Sequence, residues 1–146
     1  MRPRGDDGTV LVLTLGLAGL LLVLVGVVVD VSVTVLAKRS VASAADGAAV
    51  SAAQALDYDV FYAQGLAGAV PLSEAGVAER VAGYQALAAR EQPGLRLDGH
   101  VEDGATAVVT GTRTIALPFS GWLGDGSIEV SAQARARAPL APTGPG

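Results

Sequence analysis

The order of apolar and polar positions divides this chain into unlike stretches. Gly8 to Val29 reads GTVLVLTLGLAGLLLVLVGVVV, with no charged residue and no periodic polar face. At about 1.5 Å per helical residue this stretch covers about 33 Å, close to the hydrocarbon thickness of a bilayer. The pattern predicts a transmembrane helix over 9–29, after a short tail over 1–8. Charge returns at Asp30 and again at Lys38 and Arg39. From Val31 to Leu56 the chain has no proline, one glycine and a dense run of alanine. Alanine has the best helix propensity, so the helix is expected to continue over 30–56. The small side chains of that extension suit close approach by other helices, or a spacer that holds a head off the membrane.

The second half is patterned differently. Residues 57–72, with Gly65, Gly68 and Pro71, read as a linker that Tyr58, Phe61 and Tyr62 could dock. Ser73 is a good helix N-cap with Glu74 in the first turn. Leu72 and Val77 hold the positions of a hydrophobic staple. Val77, Val81, Tyr84 and Ala88 mark an apolar face with Leu87 alongside, and Gln92-Pro93-Gly94 ends the helix. Leu95, Leu97 and Val101 then share one face of a strand, with Asp103-Gly104 as a hairpin turn. Thr106 to Leu117 is rich in Thr, Val and Ile, which favours a second strand. After a loop from Pro118 to Gly126, Ile128, Val130, Ala132, Ala134 and Ala136 alternate with Glu129, Ser131, Gln133, Arg135 and Arg137. The expected fold class is α+β: a long N-terminal helix, then a small head over 73–138 with one helix and a three-stranded antiparallel sheet. Residues 139–146 are expected to be a disordered tail.

Composition narrows the function. The chain has 146 residues, a net charge of −4, no cysteine and one histidine. With no thiolate and a lone His100 on the polar face of the first strand, a conventional zinc site is not expected. The ten basic residues are scattered, so no nucleic-acid partner is expected. Neither a phosphate-binding GxxxxGK[ST] loop nor a GxSxG elbow occurs. Asp57 with Asp59, and Asp98 with Glu102 and Asp103, fall in linker and turn. The reading is of no enzyme, no cofactor, no metal and no small-molecule substrate.

Within the apolar stretch, Gly16, Gly19, Val23, Gly26 and Asp30 recur every three or four residues and share one helical face. Glycines there would let another helix come close; their commonness in membrane helices is the plainer explanation. Asp30 reads as a wet helix end at the outer interface or as a polar contact to a neighbouring subunit. In the head, Phe119 and Trp122 are either a contact surface or core. Arg2 and Arg4 favour a cytoplasmic N-terminus and an extracytoplasmic head, although Lys38 and Arg39 weigh the other way. A cleaved signal with Ala42-Ser43-Ala44 as its site fits less well, because its apolar region would be too long and Asp30, Lys38 and Arg39 would lie between that region and the cut.

The opening stretch also resembles the N-terminal region of TadE/TadG-like proteins of the Tad, or Flp, pilus system. That family carries an Arg-Gly element before a membrane helix, an acidic residue closing the helix, a basic pair and an alanine-rich run. Arg4-Gly5, Asp30, Lys38-Arg39 and Ala44-Ala45-Asp46-Gly47-Ala48-Ala49 stand at those places. The ending TRTIALPFSGWLGDGSIEVSAQARARA is similar to that of small actinobacterial members. The resemblance implies a pilin-like fold and a minor pilin or pseudopilin in the cell membrane. Its partners would be lipid and other pilin-like or Tad assembly proteins. Pilin-type processing would cut after Gly8, yet the fifth residue beyond is Leu13 where that processing wants Glu. Permanent anchoring without processing stays open. A membrane-tethered extracytoplasmic binding or adaptor protein unrelated to pili is the alternative from the residues alone.

Overall fold

The computed structural model describes residues 6–55, 71–122 and 126–138. Helix α1 runs Asp6–Ala52 without a break, as the missing prolines and dense alanines require, and is about 70 Å long. Helix α2 is Glu74–Ala88, and three strands follow: β1 Arg96–Glu102, β2 Thr106–Ala116 and β3 Ser127–Arg137. The strands form one antiparallel sheet in the order β1-β2-β3. The architecture is the expected α+β layout. Residues 56–70, which are the last residue of the expected extension and most of the expected linker, and the tail from 139 lie outside the described residues, as do the first five residues and 123–125.

Local chemistry sets the element ends. The Ser73 hydroxyl accepts from the backbone N–H of Gly76 at 3.3 Å, capping α2. Leu72 and Val77, the two staple positions, are both buried. The β1–β2 turn puts Asp103 at φ 55° and Gly104 at φ 66°, and Ala105 N–H donates to the Glu102 carbonyl at 3.3 Å. Positive φ at both central residues defines a primed hairpin turn, which is why Asp-Gly occupies it. Along β3, Val130 and Ala134 are buried and Ala132 and Ala136 half-buried, while the intervening polar residues are exposed. The alternation predicted for this strand therefore sets which face meets the helices, although Ile128 at its start stays largely exposed.

The core shows what the alanines do. One stripe of α1 is buried, including Ala37, Val41, Ala44, Ala45, Ala48, Ala49 and Ala52. It packs against Leu72, Val77 and Val81 on the α2 side and against Ala107, Val109, Ile115, Val130 and Ala134 of the sheet. Small side chains let α1, α2 and the sheet come close together. A Cβ added at Gly47 would collide with the Tyr84 hydroxyl, and one at Gly111 would meet Val41 Cγ1 at 3.0 Å. The distal half of α1 is thus the central helix of the head.

The outer edge of β1 is closed by α2. The Gln85 side-chain carbonyl accepts from Leu97 N–H at 2.7 Å. Both carboxylate oxygens of Glu74 accept from Val101 N–H, at 3.3 and 3.2 Å. Side chains thereby occupy donors that an edge strand would otherwise offer to another chain.

Candidate functional site

The two halves of α1 differ in what covers them. From Gly8 to Val25 every residue is exposed, and the most apolar window of the helix has a mean hydropathy of 2.9. A surface of Leu and Val this large is not stable against water. The hydroxyls nearby turn inward: Ser32 Oγ donates to the Val28 carbonyl at 2.7 Å, and Thr34 Oγ1 to the Asp30 carbonyl at 2.9 Å. The buried stripe begins at Gly26 and continues through Asp30 to Ala52.

Gly26 and Asp30 are where the head touches the apolar segment. The loop after β2 folds back onto α1, with Ser120–Trp122 forming a single 3-10 turn. Phe119 N–H donates to Asp30 Oδ1 at 3.0 Å, and Ser120 N–H to Oδ2 at 2.8 Å. The Ser120 hydroxyl also donates to Oδ2. Asp30 is 9% exposed, and three donors from the loop surround its carboxylate. Such an arrangement compensates a charge removed from water. One turn earlier, a Cβ at Gly26 would lie 3.2 Å from the Phe119 ring. Glycine at this position leaves the ring room to rest on the helix backbone. Below it the loop and helix border a groove of about 440 Å³ whose wall includes Leu22, Val23 and Val27.

The positions singled out from the sequence thus fall into two groups. Gly26, Asp30 and Phe119 meet one another. Gly8, Gly16 and Gly19 have no atom within 4 Å of an added Cβ, so that face of the helix is open. Trp122 closes the 3-10 turn, but its side chain lies outside the described residues, as do Asp57 and Asp59. Ser120 was not singled out. Its signal was weak, a small polar residue in the loop Leu117 to Leu123, LPFSGWL, which otherwise has only apolar residues, proline and glycine. His100 is exposed on β1. Among the described residues no group of three or more His, Asp or Glu side chains is placed to hold a metal ion.

Comparison with known proteins adds a family to this geometry. No curated protein and no solved structure matches the chain. Residues 8–55 match the family model described as putative Flp pilus-assembly TadE/G-like. The match opens at the start of the apolar segment and closes just past the last turn of α1, so it takes in both the exposed half and the half buried in the head. Over residues 8–55, about a third of the chain, the long helix is similar to the TadE/G-like Flp pilus-assembly domain.

Proposed function

We propose that the chain is a membrane-anchored structural or assembly component of a Flp-type pilus, acting through helix packing and protein contacts rather than catalysis. The observation that carries this reading is the coincidence of the family match with a helix apolar and exposed over residues 8–25 and buried in a head beyond. Residues 9–29 are the membrane anchor, held by lipid because water is a poor solvent for them. Arg2 and Arg4 keep the N-terminus in the cytoplasm. The head, residues 73–138 with the helical extension 30–56, stands outside the cell membrane.

Partners are other pilin-like or Tad assembly proteins, and the open face at Gly16 and Gly19 is where a neighbouring helix approaches. Gly8 is the position at which a processing peptidase would cut. Leu13, where such processing wants Glu, favours permanent anchoring without processing as the alternative to a cut there.

The test is extraction and co-purification. Alkaline carbonate is expected to leave the full-length chain in the membrane pellet, and its release would refute the anchor. Gly16→Leu with Gly19→Leu should leave the chain in the membrane but reduce co-purification with Tad-system membrane proteins by about tenfold, the effect of ~1.4 kcal/mol at a packed helix pair. Unchanged complexes would remove the glycine face from the proposal.

A further inference from the structure

The depth of the Phe119 contact has a consequence for the head. Gly26 lies about 27 Å along the helix from Gly8 and about 6 Å below Asp30. The hydrocarbon core of a bilayer is about 30 Å thick. A ring seated on Gly26 is therefore level with the outer end of the acyl region once α1 spans the membrane. We infer that the loop segment Leu117 to Trp122 dips into the outer leaflet, with Phe119 against lipid acyl chains, as a second membrane contact that fixes the tilt of the head. This inference rests on the membrane-anchor reading above.

Three observations support lipid as the occupant. The segment Leu117 to Trp122 is uncharged, the one charge of the loop being Asp125 further on, and it carries Leu117, Phe119 and Trp122; aromatic residues favour the membrane interface. Phe119 is 47% exposed although its ring lies against α1, and the groove beneath it is continuous with exposed Leu22 and Val23 of the apolar segment. Backbone N–H groups entering an apolar layer need partners, and Asp30 accepts those of both Phe119 and Ser120. A second helix is a poorer occupant, since the Phe119 ring already fills the close approach that Gly26 provides.

The chain has one tryptophan and no cysteine, which allows a direct test. Phe119→Trp in a Trp122→Phe background is reconstituted as the full chain into phosphatidylcholine vesicles brominated either shallow or deep along the acyl chain. Gln133→Trp in the same background reports the far part of β3. Co-flotation with vesicles is measured on each sample. The inference expects co-flotation, blue-shifted emission at position 119, at least twofold quenching by the shallow bromines, and little quenching at position 133. Co-flotation without quenching at 119, or with equal quenching at both positions, overturns the dipping loop and leaves the anchor standing. Failure to co-float overturns the anchor, and the loop contact with it. A fluorescent label on Phe119→Cys, scored by protection from an aqueous quencher, gives the same decision should the tryptophan variant not fold.

Discussion

At the scale of single residues, the fold depends on where a side chain is absent as much as on where one is present. Gly99 on β1 faces α2, and a Cβ there would come within 2.7 Å of Val81 Cγ2, a methyl that is itself buried. Gly83 in the middle of α2 has open space where its Cβ would be. The two should respond in opposite directions to the same change. Gly99→Ala is expected to lower stability by about 1–3 kcal/mol through overpacking. Gly83→Ala should raise it by about 0.5–1 kcal/mol, as the helix gains a residue of higher propensity. Denaturant melts of both variants in detergent measure the pair, and equal signs would refute the account. Asp30 is the other decisive residue. Asp30→Ala leaves the Phe119 and Ser120 donors without their acceptor, so the loop should become more sensitive to protease. Asp30→Asn keeps one acceptor oxygen and should be the milder change. Indistinguishable cleavage of the loop in wild type and Asp30→Ala would show that the contact does not hold it.

Among the elements, α1 has two surfaces, and its alanines determine which neighbours fit. Ala48 is completely buried against the head while Val50, two residues on, is 58% exposed. Ala48→Leu forces four-carbon bulk between helix and sheet and should cost about 1–3 kcal/mol, whereas Val50→Leu should be close to neutral; circular-dichroism melts separate them. This element also shows which parts of the structure local pattern could reveal. The strict alternation on β3, the Ser73 cap and the Asp103-Gly104 turn were legible because each depends on neighbours a few residues away. The burial of the alanine run by the sheet was only partly legible, because small residues fit an open rod and a crowded core equally well. The Asp30 contact was not legible as an intramolecular one. Its donors lie some ninety residues along the chain, and a carboxylate at the end of an apolar helix has the same local signature whether water or a folded loop surrounds it. Gly26 shared that ambiguity: a glycine that admits a neighbouring helix and one that admits a phenyl ring from the same chain look alike in sequence.

For the whole molecule, the boundary that matters thermodynamically is at Gly26 on α1, inside the uncharged stretch rather than at either end of it. Every residue from Gly8 to Val25 is exposed, and the buried stripe starts immediately after. Removing residues 1–25 should therefore take away most of the proposed anchor, residues 9–29, without subtracting core. A fragment of residues 26–146 is expected to partition into the aqueous phase of a detergent cloud-point separation and to unfold in one cooperative transition. A fragment of residues 57–146 keeps α2 and the whole sheet but loses Ala37, Val41, Ala44, Ala45, Ala48, Ala49 and Ala52, all of them buried. Its sheet would expose the face that α1 covers, and a three-stranded sheet with a single 15-residue helix has too little apolar surface to offset the entropy of ordering it. It should give no cooperative melt. If the shorter fragment folded cooperatively, the helix would be a tether appended to an independent head. If only the longer one does, the exposed apolar half of α1 and the core of the head are one continuous element, and any force or contact applied to the apolar half is transmitted to the sheet through an unbroken helix.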